Sequence, residues 1–403
     1  MRSKNIITAC VLVLACSALK ASDTLKLEGL LYLDGSAVQI SIVDGTISSI
    51  ERMEESAGTR LPYIAPGLID LQINGYSGVD FSDQDLSTED FIKATKALWK
   101  EGVTSYLPTV ISADGEMLRK SFTLLARASK DLEIAASIPG FHLEGPYISP
   151  EKGFRGAHLE KYIRKPNWEE FAGLQEISGN RIRLITVAPE MEDAFSFIRK
   201  CARSGVLVSL GHHNGSSEQI RQAADAGASL STHLGNGCAN MIDRHNNPLW
   251  PQLAEDRLSI TLIADGFHLN QDELNCFYRM KGLERTILVS DALDLAGLPP
   301  GIYIRGEREV LLTPDVVKFP AENVLAGAAT PLSKSVRNMM SFTGCSLPDA
   351  IRMASTNPAK LLGLDDLGEI SPGKRADLIL FHITDEGLDI LSTIVRGEIV
   401  YEK

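Results

Sequence analysis

Two patterns of apolar and polar positions divide the chain. Residues 24–60 alternate apolar and polar side chains as β-strands do, and Asp-Gly pairs at 34–35 and 44–45 mark hairpin turns between the strands. The same alternation returns near the C-terminus in the stretches ADLILFHI and STIVRGEIVYEK. We therefore expect both ends of the chain, residues 22–63 plus 364–403, to form one small β domain.

The middle of the chain, residues 64–363, follows a different pattern. Short apolar runs that favour strands, such as VTSYLPTV and SIPGFHLE, alternate with amphipathic stretches that favour helices, such as TEDFIKATKALWKEG and GEMLRKSFTLLARASK. This alternation is typical of βα units around a parallel sheet. The stretch is long enough to close a barrel, so the predicted fold class is α/β with a (β/α)8 TIM-type barrel.

The first 21 residues resemble neither region. They contain two basic residues, Arg2 and Lys4, and then an apolar run that is too short to cross a bilayer. This pattern predicts a secretory signal peptide. Residues 13–16, VLAC, also resemble a bacterial lipobox, which predicts a lipid anchor at Cys16. We expect an exported protein, periplasmic or lipid-anchored, with no membrane span; without this leader the chain would be cytoplasmic.

Composition narrows the function classes further. Of the 403 residues, 44% are hydrophobic and 23% are charged, as in ordinary globular proteins. The formal net charge of −12 argues against nucleic acid and anionic membranes as partners, because both require a basic face. The cysteines outside the leader form no CxxC pair, so a zinc knuckle is not expected.

Ionisable side chains end several of the predicted barrel strands. The five residues that do so are Glu144, His212, His233, His268 and Asp291. Function in such barrels collects at the carboxyl ends of the strands, so these side chains are expected to face one centre. Each of them alone could be a core hydrogen-bonding residue or a helix N-cap, but that explanation is hard to extend to all five.

The spacing of two of the histidines fits one βα repeat. A helix between them is indicated by a capping box of Ser216 and Gln219 and by Gly227, which can close its C-terminus. One helical unit places His212 and His233 on adjacent strands.

The residue types at these strand ends suit metal-assisted hydrolysis. One carboxylate and two imidazoles are suitable ligands for a divalent metal, zinc or iron first, and three protein ligands leave a position open for water. A bound metal brings the pKa of water down to about 7. A base must then take the proton and return it to the leaving group, and Asp291 suits that role.

The motifs at the strand ends carry a family resemblance. They are APGLIDLQINGYSGVDF, GFHLEGPYISPEKGFRGAH, VSLGHHNGSS, STHLGNG, ADGFHL and LVSDAL. Together they resemble the N-acetylglucosamine-6-phosphate deacetylases of the amidohydrolase superfamily, over most of residues 25–400. The resemblance implies a metal-bearing (β/α)8 barrel with a small β-sandwich domain, usually as a homodimer. It also implies hydrolysis of the 2-acetamido group of the sugar phosphate to the amine and acetate.

The resemblance assigns roles at the centre. It implies that Glu144, His212 and His233 hold one divalent metal ion per chain, that Asp291 shuttles the proton, and that His268 contacts the substrate near the scissile amide. His142 lies deeper in the predicted barrel and is expected to be structural.

Other positions favour one metal ion rather than two, and further positions are expected to contact the substrate. Gln72 and Asn74 stand where many superfamily relatives have an HxH metal pair, and neutral amides are poor metal ligands. Residues 185–190, ITVAPE, offer no lysine to bridge a second metal. By resemblance, substrate contacts fall to the following residues: Gln72, Asn74, Ala157, His158, Asn236 and Gly237, the last two in a phosphate-binding loop.

The chain departs from the family after this loop. Family members commonly carry an arginine from the neighbouring subunit here, and Arg244 is the candidate; otherwise it is a surface residue. His245 and Trp250 are expected near the pocket mouth. An exported amidohydrolase could instead act on an unphosphorylated N-acetyl sugar, a cell-wall fragment or an N-acyl amino acid. A separate alternative is a non-catalytic sugar-binding barrel.

Overall fold

The computed structural model describes residues 24–54, 61–305, 308–314, 316–320 and 324–403. The predicted leader, residues 1–21 with Cys16, lies outside the described residues, so the signal peptide, the lipid anchor and export stay predictions.

The described residues form 21 strands, numbered in chain order. Their bounds are β1 (Leu25–Leu31), β2 (Ala37–Val43), β3 (Thr46–Arg52), β4 (Tyr63–Pro66), β5 (Leu68–Ile73), β6 (Gly75–Tyr76), β7 (Val79–Asp80), β8 (Val103–Ile111), β9 (Phe141–Glu144), β10 (Ile182–Val187), β11 (Leu207–Leu210), β12 (Leu230–Ser231), β13 (Ser259–Ile263), β14 (Thr286–Val289), β15 (Gly301–Arg305), β16 (Arg308–Leu312), β17 (Val316–Phe319), β18 (Val324–Ala328), β19 (Leu378–Ile383), β20 (Leu388–Val395) and β21 (Glu398–Glu402).

Ten α-helices alternate with these strands through the middle of the described chain. Their bounds are α1 (Thr88–Lys100), α2 (Gly115–Ala128), α3 (Trp168–Ile177), α4 (Ala194–Arg203), α5 (Ser217–Ala226), α6 (Leu249–Ala254), α7 (Gln271–Lys281), α8 (Leu332–Thr343), α9 (Leu347–Ala354) and α10 (Thr356–Leu362). Short 3-10 turns lie at Ala135–Ser137, Glu160–Tyr162 and Leu283–Arg285.

The two chain ends share one seven-stranded sheet, in the order β21-β20-β19-β4-β1-β2-β3. The sheet folds over on itself, because the turn after β2 and the turn after β20 meet although they lie near opposite edges. The backbone N–H of Ala376 donates to Gly45 O, and that of Gly397 donates to Ala376 O, each at 2.9 Å. The aliphatic side chains of both halves pack into one core, with Ile40 and Ile394 fully buried.

The barrel is an eight-stranded parallel sheet in the order β14-β13-β12-β11-β10-β9-β8-β5. It closes at its carboxyl end, where the backbone N–H of Asp291 donates to Gln72 O and that of Asn74 donates to Ala292 O, each at 2.9 Å. The predicted α/β barrel with a separate sheet from both chain ends is confirmed. Closure brings the ends of the first and last barrel strands into contact, which matters for the site.

Two features of the fold go beyond the sequence prediction. The apolar stretch YIAPGLIDLQI is divided at Gly67, so that β4 joins the terminal sheet and β5 begins the barrel. The terminal sheet therefore extends to Pro66, past the predicted boundary at residue 63. A small antiparallel sheet, β15-β16-β17-β18, is inserted between β14 and α8.

The structure also bears on the membrane and cysteine predictions. Among the helices of the described residues, none combines the length and the apolar character that a bilayer crossing requires. Cys201, Cys238, Cys276 and Cys345 are free thiols.

Candidate metal centre

Glu144 reaches the barrel mouth because its strand ends in a sharp turn. It is the last residue of β9 and is 3% exposed. The next residue, Gly145, has a left-handed φ of 77°, and a Cβ there would lie 2.2 Å from the Ser112 hydroxyl oxygen. Only glycine fits a turn this close to the neighbouring strand, so the carboxylate is held at a fixed place.

Three other residues of the centre have a left-handed backbone although they carry side chains. His212 follows β11 with φ 51°, His233 follows β12 with φ 29°, and Asp291 follows β14 with φ 48°. Non-glycine residues adopt this conformation rarely, and where they do the strain often marks a functional site. The parallel pairing of β11 with β12 sets the two histidines side by side, as the spacing predicts.

Glu144, His212 and His233 form a group suited to a metal ion. Their ligand atoms all lie within 4.8 Å of one another. Glu144 Oε1 lies 3.0 Å from His233 Nε2 and 3.3 Å from His212 Nε2. The opposite nitrogen of His212, Nδ1, lies 3.0 Å from the Phe154 carbonyl oxygen. That carbonyl needs a donor, so Nδ1 carries the hydrogen and Nε2 is left to bind a metal.

The electrostatics of this group fit a cation at its centre. Burial would raise the pKa of Glu144, but hydrogen bonds from His212 and His233 hold it well below the usual range. Burial would lower the pKa of His233, but its hydrogen bond to Glu144 and the charge of Asp291 raise it instead. The site therefore favours a positive charge beside the ionised Glu144 carboxylate, and a divalent cation can supply that charge in place of a proton on His233.

Asp291 stands beside this group and is held by two amides. Gln72 Nε2 donates to Glu144 Oε1 at 2.8 Å and to Asp291 Oδ1 at 3.1 Å, while Asn74 Nδ2 donates to Asp291 Oδ1 at 2.8 Å. Burial, reinforced by the charge of Glu144, raises the pKa of Asp291 to about 6. Gln72 thus connects the two carboxylates, Asn74 holds Asp291 alone, and Asp291 has the basicity of a proton acceptor near neutral pH.

His158 lies on the other side of the carboxylate. Its Nε2 is 3.9 Å from Glu144 Oε2, and its Nδ1 is 2.9 Å from the Ser112 hydroxyl. Burial, and then the neighbouring charge of His212, lowers the pKa of His158 to about 3, so the ring is neutral. The preceding residue, Ala157, is exposed.

The predicted phosphate loop packs directly against a metal-group histidine. Gly237 has a φ of 59°, and a Cβ there would lie 2.6 Å from His212 Nδ1. Asn236 donates its backbone N–H to His233 O at 2.8 Å, while its buried side-chain Nδ2 has no hydrogen-bond partner among the described residues. The loop is therefore anchored to the centre, and it holds a buried amide donor without a partner among the described residues.

The loop that follows is different in character. Arg244 is exposed and its Nε donates to His245 Nε2 at 3.1 Å, and Trp250, 56% exposed, donates its indole N–H to Arg244 O at 3.1 Å. Further hydrogen bonds join these three residues to Asp243 and Asn247 of the same loop, and no hydrogen bond among the described residues joins them to the metal group.

Two further histidines take separate positions. His142 is fully buried below the centre, with Nε2 2.8 Å from the Thr186 hydroxyl, and burial lowers its pKa to about 4. His268 follows β13, and its Nδ1 lies 2.6 Å from a carboxylate oxygen of Asp265. His142 is outside the metal group, while His268 is close enough for its charge to affect the pKa of Asp291.

Three residues that contact the site escaped the sequence analysis. Asp265 and Ser112 each follow a barrel strand, after β13 and β8, and hold His268 and His158 respectively. Asp70 lies inside β5, and its Oδ1 accepts the backbone N–H of Gln72 and of Ser290, each at 3.2 Å. Polar side chains at strand ends were the available signal for the first two; a buried acid within an apolar strand was the signal for Asp70.

The sequence is also similar to known proteins. The amidohydrolase family model matches residues 63–400. The N-acetylgalactosamine-6-phosphate deacetylase of Escherichia coli O157:H7 is 34% identical over 384 residues, which cover 94% of this chain and 98% of that protein. The N-acetylglucosamine-6-phosphate deacetylase of Bacillus subtilis (strain 168) is 32% identical over 374 residues, 90% of this chain and 92% of that protein.

A solved structure agrees with these sequence matches. The crystal structure of N-acetylglucosamine-6-phosphate deacetylase from Thermotoga maritima has a TM-score of 0.82 to this chain at 31% identity, covering 94% of this chain and all of that one. The likeness therefore extends over both the barrel and the terminal sheet.

Proposed function

The chain belongs to the amidohydrolase family, and from this premise we propose that it hydrolyses the 2-acetamido group of N-acetylglucosamine 6-phosphate to the amine and acetate. The observation that carries the proposal is the convergence of Glu144, His212 and His233 with Asp291 directly beside them. Both relatives described above are named as deacetylases of N-acetylhexosamine 6-phosphates.

We assign one divalent ion, zinc or iron(II), to the Glu144, His212 and His233 group. The mixed nitrogen and oxygen donor set suits these metals, and three protein ligands are typical of a catalytic site. When bound, such an ion would polarise the acetamide carbonyl oxygen and make water a stronger nucleophile. Gln72 and Asn74 donate to carboxylates in this arrangement, so they do not build a second metal site.

Asp291 moves the proton in this proposal. With a pKa raised to about 6, it is ionised at neutral pH and can accept a proton from the attacking water. It then returns that proton to the departing amine nitrogen. Two amide donors hold its Oδ1, so Oδ2 is the oxygen available for this transfer.

The remaining residues would bind and orient the sugar phosphate. His158, neutral and held by Ser112, faces the carboxylate side of the centre, and the anchored loop of Asn236 and Gly237 would hold the phosphate. Arg244 remains a proposed phosphate contact that would need its loop to move or a second subunit. The homodimer and the exported location stay predictions.

The closest alternative in chemistry is the galactosamine epimer, since one relative is named for it. The two sugars differ only at one ring carbon, and the deacetylation chemistry is shared. An unphosphorylated N-acetyl sugar is the alternative that the predicted export favours.

Acetate release tests the proposal. The purified chain without residues 1–21, reloaded with zinc or iron(II), would be assayed on both N-acetylhexosamines, with and without the 6-phosphate. We expect the highest kcat/KM for N-acetylglucosamine 6-phosphate. A preference for the galactosamine epimer or for the unphosphorylated sugar would replace the substrate, and inactivity on all four would refute the proposed function.

A further inference from the structure

Asp265 is a buried carboxylate at the end of a barrel strand, and its only side-chain partner among the described residues is His268. It follows β13 and is 4% exposed. Its Oδ1 accepts the backbone N–H of Phe267 and of His268, each at 2.8 Å, and its Oδ2 lies 2.6 Å from His268 Nδ1. Three hydrogen bonds thus fix both the carboxylate and the start of the loop that carries the histidine.

The two carboxylate oxygens of Asp265 have different hydrogen-bond partners. Oδ1 is occupied by backbone donors, which have no other acceptor among the described residues. Oδ2 can therefore only accept a hydrogen from Nδ1 of the ring, because an ionised carboxylate has no hydrogen to give. When the ring is neutral, its single hydrogen is then on Nδ1, and Nε2 carries a lone pair.

The other ring nitrogen, Nε2, has no partner among the described residues. The side chain of His268 is 11% exposed. A positive charge on the His268 ring lowers the pKa of Asp291. A ring fixed on one side and accessible on the other is suited to meet a substrate group.

We propose that Asp265 is a positioning residue that holds His268 as the Nδ1–H tautomer, so that Nε2 accepts a hydrogen bond from a donor on the substrate. The inference rests on the proposed function for the identity of that substrate. The donor is either the amide N–H of the acetamido group or a ring hydroxyl. His268 thereby selects a substrate that brings a hydrogen to this place.

Asp265→Asn reverses the tautomer with little change in shape. The asparagine Oδ1 keeps the two backbone N–H donors, so its NH2 group must face Nδ1. That contact requires an unprotonated Nδ1, which moves the ring hydrogen to Nε2 and sets it against the substrate donor. We expect kcat for N-acetylglucosamine 6-phosphate to fall on the order of 10²-fold or more, with a smaller change in KM.

Asp272→Asn is the matched control. Asp272 is exposed in the first turn of the next helix, α7, and the change removes the same charge. We expect it to leave both kcat and the tautomer of His268 unchanged.

The tautomer is read directly by ¹⁵N NMR of zinc-loaded, histidine-labelled protein, with His268→Gln to assign the resonance. The wild-type spectrum should show Nδ1 protonated and Nε2 unprotonated, and Asp265→Asn should invert this. A wild-type ring with its hydrogen on Nε2 would overturn the inference, even if Asp265→Asn could not be purified. So would an inverted tautomer with unchanged kcat.

These measurements separate the two proposals. If the wild type releases no acetate but His268 has the expected tautomer, the proposed substrate is wrong. The inference that Asp265 fixes the tautomer of His268 is then still supported. An ester analogue, 2-O-acetylglucose 6-phosphate, identifies the donor. An equal loss on ester and amide points to a hydroxyl, and a smaller loss on the ester points to the amide N–H.

Discussion

At the carboxyl end of the barrel, buried ionisable side chains meet on a left-handed backbone, whereas the terminal sheet alternates buried aliphatic residues with exposed polar ones. Both regions contain non-glycine residues with positive φ. In the sheet these are Asp44 and Arg396, each followed by glycine in a two-residue hairpin turn. There the conformation matches the twist of the strands. At His212, His233 and Asp291 no hairpin requires it.

The contrast indicates which region provides stability and which provides chemistry. The sheet buries Ile40 and Ile42 among other aliphatic side chains, and one of its ion pairs, between Arg52 and Asp34, is exposed and contributes little. The barrel end buries Glu144 and half-buries Asp291, with partial compensation from amides and imidazoles. Changes in the sheet core should therefore act on stability, and changes of the Asp291 carboxylate on turnover.

The largest expected effect is on turnover. Asp291→Asn removes the proton acceptor but keeps the shape, and asparagine can still face Gln72 and Asn74. We expect kcat to fall on the order of 10²- to 10⁴-fold, with metal content and thermal stability close to those of the wild type. Acetate release, metal analysis and a thermal melt check this. A variant with near-normal kcat would remove Asp291 from the mechanism.

Asp70 should make the barrel end sensitive to pH. It is fully buried, its Oδ2 has no hydrogen-bond partner in the described part of the chain, and burial raises its pKa to about 7. A carboxyl group with a raised folded-state pKa binds more protons when folded. Its contribution is therefore most favourable below the ordinary pKa of 3.8 and is lost as the pH rises through about 7.

The size of this effect follows from the shift. Each pKa unit corresponds to about 1.4 kcal/mol, so roughly 4 kcal/mol of stability changes across this window. Asp70→Asn keeps an oxygen for the N–H groups of Gln72 and Ser290 and cannot ionise. Urea unfolding at about pH 5 and about pH 8 should show a smaller pH dependence in the variant. Equal pH dependence in both proteins would show that Asp70 does not titrate in this range.

A substitution in the core of the terminal sheet should lower stability and leave turnover unchanged. Ile40 is fully buried in the shared core of the sheet. Ile40→Ala leaves a cavity and should lower the free energy of unfolding by about 2–5 kcal/mol. The kcat of the folded fraction should stay within about twofold of the wild type, since no site residue touches this core. A selective loss of kcat would show that the sheet supports the chemistry directly.

The smallest effect is expected at the edge of the same sheet. Ile399 on β21 is 46% exposed, so Ile399→Ala should change stability by less than about 0.5 kcal/mol. It serves as the matched control for Ile40→Ala. A large loss of stability here would mean that this edge is covered by a partner in solution.

The sequence predicted the local features well because each had a local cause. The capping box at Ser216 and Gln219 is present at the start of α5, and Gly227 closes that helix with a left-handed φ. The spacing of one βα repeat between His212 and His233 was sufficient to place them on adjacent strands. Periodicity and spacing carry this information directly.

Other features depend on contacts that are distant in sequence. The break at Gly67 within residues 63–73 could not be predicted, because the apolar run continues through Gly67 without a change of pattern. The break is visible only in the folded chain, where β4 pairs in the terminal sheet and β5 pairs in the barrel. The bond of Gln72 to Glu144 and Asp291 spans the closure of the barrel. Asp265 is close in sequence to His268, but its role appears only when the loop geometry is known.

Metal content tests the central claim most directly. The purified wild type and Glu144→Gln would be loaded with zinc, passed through a desalting column and analysed for metal. The glutamine keeps the size of the side chain but removes the charge that pairs with His212 and His233. We predict about one zinc ion per wild-type chain, as for a three-ligand catalytic site, and almost none in the variant. Equal zinc in both proteins would contradict a metal centre at Glu144.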